Sequence, residues 1–474
     1  QATALAELNG LRAKLGARYP QPSPEMRLGR ADRLTDAGQH RLARAEYRTL
    51  SLRLQGLARE QATVRAGASD YHLNRNTAAY KYLQALRPVQ PEAAAERLYH
   101  LAACARRLKR RDEFTRLVTR LGDEHRASRW YEEALFAAGN LFLVENEPDR
   151  YLPYYQSVVD LFPKSSNAAA AHWKLAWRAY LARNGAAQKQ LEDHLRLYPE
   201  SPQATAAIFW LGRLAESRGE VAEARAFYLH LTSRYPHYYH SLLARERLRT
   251  LPANTDGSRP VRAAAVLAVL VPPPAPPPAT ATPEAESSLR RARLLNQFGL
   301  TDLAERELRF RASAAPNAYH AGLELAQQAA DHGQHYQAIR YLKRYTPGYL
   351  AFPIDAMPLR YWELLFPMPW REQLERYCRA RELDPALVAG LIRQESEFNP
   401  GAVSRARARG LMQIMLSTGR QLGRSVGLAR VTSTALHRPE TSLQLGTLHL
   451  RRVLDQYDGR LEPALAGYNA GEHR

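Results

Sequence analysis

The chain has 474 residues, of which 45% are hydrophobic, so it is long enough for more than one domain with a buried core. Alanine, leucine and arginine dominate and aromatic β-runs are few, which favours an all-α fold class. The formal net charge of +20 attracts polyanions such as nucleic acid, anionic lipid or a polymer that bears carboxylates.

Cysteine and apolar patterns narrow the possible classes. Cys104 and Cys378 are the only cysteines, too few and too far apart in sequence to indicate a disulfide framework or a metal site. Since no Cys-x-x-Cys, histidine-rich cluster or His-Glu-x-x-His motif is present, we expect neither a catalytic metal nor a cofactor. The longest apolar run, Ala263–Val271, is too short to cross a bilayer, so we expect no membrane span.

Residues 1–253 contain a repeat. The dipeptides Phe162-Pro163, Tyr198-Pro199 and Tyr235-Pro236 recur at 36 and 37 residues, each between an amphipathic stretch and one rich in alanine and aromatic residues. This period predicts helix-turn-helix units that stack into a superhelix, U-shaped or ring-like. Taken alone, this half of the chain is more typical of a scaffold that binds protein segments.

Two breaks divide the rest of the chain. Residues 254–285 are predicted to be a proline-rich linker, extended or disordered. Helical periodicity then returns, and we predict a small helical linker domain over 286–365. A second break, Phe366–Pro369, begins the last predicted domain, 366–474.

This last domain contains a readable helix. Asp384 is a good N-cap and Pro385 a good first helical residue. The helix then has an apolar stripe at positions i, i+3 and i+4, formed by Val388, Leu391 and Ile392.

Glu395 continues that stripe at i+7, whereas Glu397 is predicted to point to the opposite side. Burial disfavours the charged form of a carboxyl group, so the pKa of Glu395 should be raised, as a general acid requires. The alternative is an ordinary glutamate at a helix end, paired with Arg393 or a backbone amide.

Three motifs follow one another in this domain: Gln394-Glu395-Ser396-Glu397-Phe398-Asn399-Pro400, Gly410-Leu411-Met412-Gln413-Ile414-Met415 and Tyr468-Asn469-Ala470-Gly471. In this order they resemble the catalytic domain of the soluble lytic transglycosylases that cut bacterial peptidoglycan, which are relatives of goose-type lysozyme. The resemblance is dense from Asp384 to Gly471, and the family's order of domains extends it loosely over most of the chain. It implies an α-helical, lysozyme-like catalytic domain.

The resemblance also implies the site. Glu395 would be the single catalytic acid and base, with no cofactor and no metal. The predicted substrate-binding residues are Ser404, Met412, Gln413, Met415, Tyr468 and Asn469.

The residue types suit a sugar cleft. Gly410 permits close approach of the backbone to a ligand, Gln413 offers a donor and an acceptor, and the Tyr468 hydroxyl is placed to reach the catalytic carboxylate. Plain alternatives stay open. The Gly410–Met415 segment, Met415 above all, fits a core, Ser404 fits a helix start, and Asn469–Gly471 fits a helix C-cap.

The sequence departs from the family pattern at several places. Arg407, Leu416 and Gly419 stand where the family has glycine, proline and alanine. After Gly471 the family has proline, glycine and another helix, whereas here Glu472–Arg474 follow. We therefore expect the catalytic domain to be truncated at its C-terminal end.

The region around the motifs is strongly basic. From Phe398 to Pro439 there is no acidic residue, but there are seven arginines: Arg405, Arg407, Arg409, Arg420, Arg424, Arg430 and Arg438. With 60 arginines and 7 lysines in the chain, a GC-rich genome is one explanation; a patch that attracts an anionic polymer is the other.

The leading hypothesis is an enzyme that cleaves the β-1,4 bond between N-acetylmuramic acid and N-acetylglucosamine and forms a 1,6-anhydro product. The alternatives are a hydrolytic goose-type lysozyme and a non-catalytic helical-repeat scaffold that binds glycan or protein. The basic run Ala105–Arg111 has no accompanying nucleic-acid-binding module, so nucleic acid is not an expected partner. Partners would be peptidoglycan strands, and the sequence does not identify any cell-wall assembly protein.

Location follows from the same resemblance. A peptidoglycan enzyme must reach the periplasm, and a chain that begins at Gln1 without a leader fits a mature form with its signal peptide removed. A trimmed chain would begin in the same way.

Overall fold

The computed structural model describes residues 10–11, 13–16, 22–253, 257–313, 318–428 and 430–470. Every regular element in these ranges is a helix, apart from isolated β-bridges that pair Arg409 with Val403 and Ile414. The predicted all-α class is confirmed. No helix within the same ranges is both long and apolar enough to cross a membrane.

The chain divides into two compact units. The first comprises the residues up to Leu229 together with Arg247–Val271, and the second comprises His230–Glu246 together with the residues from Pro272 onward.

The helices up to residue 250 succeed one another with short turns, and almost every one packs on the next along the chain. They are Pro24–Asp36, His40–Leu50, Gly56–His72, Asn76–Ala85, Pro91–Arg107, Arg111–His125, Arg129–Val144, Pro148–Leu161, Ala168–Leu181, Ala187–Leu197, Ala204–Ser217, Val221–Arg234 and Tyr239–Thr250.

The predicted helix-turn-helix repeat is confirmed. Pro163, Pro199 and Pro236 each lie in the turn that separates the second helix of one pair from the first helix of the next. Proline cannot donate a backbone hydrogen bond and disfavours helix in the residue before it, so its recurrence fixes where each pair ends.

A glycine–tyrosine contact joins the two helices of alternate pairs. Gly139 receives the ring of Tyr155, and Gly212 receives the ring of Tyr228, each sixteen residues later in the chain. Both tyrosine side chains are fully buried. The intervening pair has Ala176 and Leu191 at the corresponding positions, and both are fully buried. In that pair alanine replaces the glycine and leucine replaces the tyrosine.

The segment predicted as linker, 254–285, contains a helix, Val261–Ala268. The carboxylate of Glu223 accepts hydrogen bonds from the backbone amides of Arg262 and Ala263, at 3.0 and 2.6 Å, and the Ala263 side chain is fully buried. An anion at a helix N-terminus satisfies amides that lack partners within the helix. Residues 254–256 lie outside the described residues.

The second unit carries the predicted functional residues. Its further helices are Pro283–Gln297, Thr301–Ser313, Ala318–Asp331, His335–Tyr345, Leu359–Leu365, Arg371–Arg379, Pro385–Ser396, Leu416–Ser425, Pro439–Gln456 and Leu461–Ala470, with 3₁₀ turns at Tyr349–Ala351, Ile354–Ala356 and Ala435–His437. Val388, Ile392, Leu411, Leu450 and Ala464 belong to one buried core that is drawn mainly from the last five of these helices and the loops between them, and Ile339 of His335–Tyr345 adds to it. That core positions the site.

We expect Gly212→Ala to lower the melting temperature of the protein. A Cβ atom at this position would lie 2.6 Å from the ring of Tyr228, whose surroundings leave it no room to move, so the strain should exceed the gain in helix propensity. Overpacking of this kind typically costs about 1–3 kcal/mol. Gly185→Ala is the control, because nothing lies within 4 Å of its added Cβ atom. Equal melting curves for the two variants, followed by circular dichroism, would contradict the role given to this contact.

Candidate active site

The helix Pro385–Ser396 begins as the sequence predicts. The Asp384 carboxylate accepts a hydrogen bond of 2.8 Å from the backbone amide of Ala386, and Pro385 is the first helical residue. Val388 and Ile392 are fully buried, which fixes the rotation of the helix about its axis. Glu395 therefore lies near the core.

The end of this helix is held tightly. Glu397 and Phe398 both have left-handed backbone conformations, with φ of +51° and +62°. Residues other than glycine seldom adopt a positive φ. The buried Phe398 ring and the Ser396 hydroxyl, which donates to the carbonyl of Leu411 at 2.8 Å, hold the chain in this turn. Glu395 is thus fixed in the last helical turn.

The two glutamates have opposite environments. Glu395 is half-buried, and burial raises its pKa above the ordinary range of a glutamate. No group in the described ranges donates a hydrogen bond to its carboxylate. Glu397 instead pairs with Lys343 at 2.7 Å and with Arg340 at 3.3 Å, so the two carboxylates have different surroundings.

Arg393 is not the partner of Glu395. Its guanidinium donates to the carbonyl of Leu365 at 3.0 Å and to the hydroxyl of Tyr349 at 2.9 Å, and it lies over the ring of Phe366. The interpretation of Glu395 as an ordinary ion-paired glutamate at a helix end is therefore wrong.

Gly410 serves a different purpose from the one predicted. Its φ is +77°, and a Cβ atom there would lie 2.0 Å from the backbone oxygen of Leu436 and 3.0 Å from the Ser442 hydroxyl. The close approach that requires glycine is therefore between two segments of the protein rather than between protein and ligand. Gly410 allows the loop that carries the second motif to pack closely against Leu436 and Ser442.

Ser404 and Gln413 belong to this loop. The exposed Ser404 hydroxyl accepts a hydrogen bond of 3.0 Å from the amide of Ala408. The Gln413 side-chain amide donates to the carbonyls of Gly410, at 2.8 Å, and Ala402, at 3.4 Å. Because the side-chain N–H groups of Gln413 donate within the loop, its side-chain oxygen is the group that can accept a hydrogen bond from a ligand.

The two methionines exchange the places that the sequence suggested. Met412, predicted as a substrate-binding residue, is fully buried, and its sulfur occupies the space beside Gly446. Met415, which fitted a core better, is 40% exposed and lines a cavity. The loop, unlike a helix, has no fixed period, so spacing alone gave no means of telling the two apart.

Tyr468 supports the site through a backbone contact. Its hydroxyl donates to the carbonyl of Met412 at 2.8 Å, so the predicted contact of this hydroxyl with the catalytic carboxylate is not formed. Burial, and then the nearby charge of Glu395, raise the pKa of Tyr468 well above that of a free phenol. The ring of His449 packs against it with centroids 4.9 Å apart.

Two cavities meet at Glu395. One, of about 640 Å³, is lined by Glu395 with five of the six predicted substrate-binding residues, Ser404, Gln413, Met415, Tyr468 and Asn469. The other, of about 710 Å³, is lined by Glu395 and Asn469 together with Leu387, Gly390, Leu391, Gln394 and Leu465. The carboxylate is thus accessible from a groove on two sides. The last residue of the third motif, Gly471, lies outside the described residues.

Sequence reasoning missed several polar residues of the cavity that Ser404 and Gln413 line. His449, Arg452 and Gln456 lie on the helix Pro439–Gln456 at positions i, i+3 and i+7, and Thr418 and Gln421 lie on Leu416–Ser425. The first three lie on one face of the helix, and their helical spacing is a signal that could have identified them.

Comparisons with known proteins find similarity in the part of the chain that carries Glu395. The family model described as "Transglycosylase SLT domain" matches residues 373–474. This part of the chain is therefore similar to SLT domains. The soluble lytic murein transglycosylases of Salmonella typhimurium and Escherichia coli are each 33% identical over 110 residues, which are 23% of this chain. The aligned segment spans only 17% of the length of each of these relatives.

The fold similarity extends beyond the SLT domain. The crystal structure of the lytic transglycosylase Slt from Pseudomonas aeruginosa, an inactive variant with glutamate replaced by glutamine, matches 98% of this chain and 77% of its own. The TM-score is 0.56 at 20% sequence identity. The predicted class, all-α with helical repeats and a lysozyme-like domain, is confirmed.

We expect Glu395→Gln to make the protein more stable at neutral pH but not in acid. An unfolded glutamate titrates near pKa ~4.3, whereas burial raises the pKa of Glu395 in the folded protein. Between these two values the unfolded state loses its proton first, so the stability of the parent falls as pH rises, and it stays lower above the folded pKa. Glutamine removes this loss.

Melting temperatures from pH 4 to pH 8 measure the effect. The difference between Glu395→Gln and the parent should grow in favour of the variant as pH rises. Glu397→Gln is the control and should gain no stability, since it removes a carboxylate that Lys343 and Arg340 hold. A constant difference for Glu395→Gln across the range would show that its carboxyl group is not shielded.

Proposed function

We propose that the protein is a lytic transglycosylase of peptidoglycan. It would cleave the β-1,4 bond between N-acetylmuramic acid and N-acetylglucosamine and leave a 1,6-anhydro ring on the muramoyl residue. The observation that carries the proposal is the half-buried Glu395, whose pKa is raised and which lies where two cavities meet.

A single carboxyl group favours this chemistry over that of most glycosidases. Retaining and inverting glycosidases use two carboxyl groups, roughly 5–9.5 Å apart, one of which activates water or attacks the sugar. Among the described residues, Glu395 is the only acid that lines either cavity. The substrate must then supply its own nucleophile, and the muramoyl C6 hydroxyl is the group that can do so.

Two proton transfers complete the reaction. Protonated Glu395 gives its proton to the glycosidic oxygen while the bond from that oxygen to C1 of the muramoyl residue breaks. The Glu395 carboxylate then accepts the proton of the C6 hydroxyl, whose oxygen forms the new bond to C1. Glu395 ends protonated, and no water is consumed.

The relatives support the same proposal. Two curated relatives are named soluble lytic murein transglycosylases, and the solved structure of similar fold is described as inactive when one of its glutamates is glutamine. The raised pKa suits a group that must carry a proton near neutral pH. Since peptidoglycan lies outside the inner membrane, the proposal places the protein in the periplasm.

We expect Glu395→Gln to lower turnover of purified sacculi by ~10²–10⁴-fold, the usual contribution of a general acid–base group. The change keeps the shape of the side chain and removes the proton. Glu397→Gln is the matched control on the same helix and should leave turnover nearly unchanged, because Glu397 faces Lys343 and Arg340.

Mass spectrometry of the products tests the reaction type. Muropeptides from a transglycosylase are one water lighter than those from a lysozyme and have no reducing end. Hydrated products with a reducing end would identify a hydrolase instead. Full activity of Glu395→Gln would remove Glu395 from the mechanism, and no turnover by the parent would favour a glycan-binding scaffold.

The arginines near the cleft have a separate part in the proposal. Arg405 and Arg407 are exposed on the same loop as Ser404, Ala406 and Ala408, which line the cavity of about 640 Å³. In the described chain, none of the seven arginines from Arg405 to Arg438 forms an ion pair with an acidic residue. Their charge is free to attract a strand that bears lactyl and peptide carboxylates.

We expect binding of the protein to sacculi to weaken as salt rises, because ions screen these exposed charges within about 10 Å at 0.1 M. Replacing Arg405, Arg407 and Arg409 by serine should reduce this salt dependence. The control is a second triple, Arg48, Arg53 and Arg59 to serine, which removes the same charge from exposed positions in the first unit. If both triples change the salt dependence equally, net charge alone is responsible.

A further inference from the structure

Two neighbouring helices of the first unit hold half of the chain's six tryptophans. Trp173, Trp177 and Tyr180 follow one another at i, i+4 and i+7 on Ala168–Leu181, so they share one face of that helix. Trp210 joins them from Ala204–Ser217. Successive ring centroids are 5.8, 5.4 and 4.8 Å apart, in the order Trp173, Trp177, Tyr180 and Trp210. We call these four residues the aromatic strip.

The side chains of the aromatic strip are not fully buried in the core. All four side chains remain partly exposed, whereas Ala171, Leu175 and Ala176 on the same helix as three of them are buried. Large apolar side chains that keep contact with water lose part of the free energy of burial. A contiguous group of them commonly marks a binding surface.

Two cations lie on the helix that carries three of the four strip residues. Lys174 and Arg178 each follow a tryptophan of the strip by one residue, and the helix Ala168–Leu181 contains no acidic residue. In the described chain neither cation has an ion-pair partner. Burial lowers the pKa of the Lys174 ammonium, which lies 5.9 Å from the ring centroid of Tyr155. A half-buried ammonium without a carboxylate is stabilised when an anionic ligand arrives.

We propose that the aromatic strip, with Lys174 and Arg178, is a second binding surface for carboxylate-bearing glycan, distinct from the cavities at Glu395. It rests on the proposed function, because the ligand is taken to be the same polymer. Pyranose rings present C–H groups on their faces, which stack on the negative faces of aromatic rings. The two cations would pair with lactyl or peptide carboxylates of the strand.

The composition of the surface favours a glycan over a protein helix. Grooves that hold an amphipathic helix are lined by apolar anchors. On the described parts of the two strip helices, Leu181 is the only large aliphatic side chain that is strongly exposed. Flat rings beside cations match alternating sugar faces and carboxylates instead.

The test compares two variants of the full-length chain, each carrying Glu395→Gln so that bound strands are not cut. Trp177→Leu with Trp210→Leu keeps apolar volume and removes two rings. Lys174→Gln with Arg178→Gln removes the cations and leaves the packing of the rings intact. Binding is measured by co-sedimentation with purified sacculi and by titration with neutral N-acetylglucosamine oligomers.

Loss of the two rings should weaken binding of both ligands by roughly tenfold, the effect of about 1.4 kcal/mol of lost stacking. Loss of the cations should weaken binding of sacculi by a similar factor and leave the neutral oligomers unaffected. The control, Phe298→Leu with Phe310→Leu, replaces two strongly exposed rings of the second unit and should change neither.

Parent-like binding of both ligands by the ring variant overturns the proposal and leaves the strip as packing or as a protein contact. Should the ring variant unfold, the cation variant decides alone: unchanged binding of sacculi overturns the proposal. The binding measurement does not depend on turnover. A failure of the transglycosylase assay with intact strip binding would therefore reject the proposed reaction and not this surface.

Discussion

The site depends on a carboxyl group that is half-buried and has no hydrogen-bond donor among the described residues. A half-buried carboxylate with no donor is costly, and the cost appears as the raised pKa of Glu395. The surrounding structure must prevent the side chain from escaping to solvent. The buried stripe of Val388 and Ile392 fixes the helix on one side, and the strained turn at Glu397 and Phe398 fixes its end. Strain of this kind persists only where neighbouring contacts hold it.

Those contacts lead from the helix into the loop. Ser396 donates to Leu411, Gln413 ties the loop to itself, and Gly410 brings it against Leu436. Tyr468 then binds the loop through Met412, so all three sequence motifs meet in one hydrogen-bonded group. Residues that look like separate ligands for a sugar are therefore, in several cases, the means by which one carboxyl group is positioned.

The part of this arrangement that follows a regular period could be predicted from the sequence. The apolar face of the Glu395 helix follows from the 3.6-residue repeat, as do the helical repeats of the first unit, and the start of that helix follows from Asp384 and Pro385. The loop has no period, so the sequence did not indicate that Met412 is buried and Met415 exposed. It also could not show that Gly410 is required by Leu436, because that contact is remote in the chain. The i, i+3 spacing of His449 and Arg452 could have predicted that they share one helix face, but the sequence analysis did not include them.

The partners of Glu397 and Arg393 indicate which preceding residues the part of the chain that carries Glu395 needs in order to fold. Lys343 and Arg340 lie on the helix His335–Tyr345, and Arg393 is anchored on Tyr349 and Leu365. Ile339, from that same earlier helix, belongs to the hydrophobic core of the SLT domain. A fragment that begins at the sequence break near residue 366 would expose part of this core. Arg393 and Glu397, on either side of Glu395, would also lose the partners named above. A fragment that keeps these contacts therefore has to start before residue 335, inside what sequence composition alone would assign to a neighbouring domain.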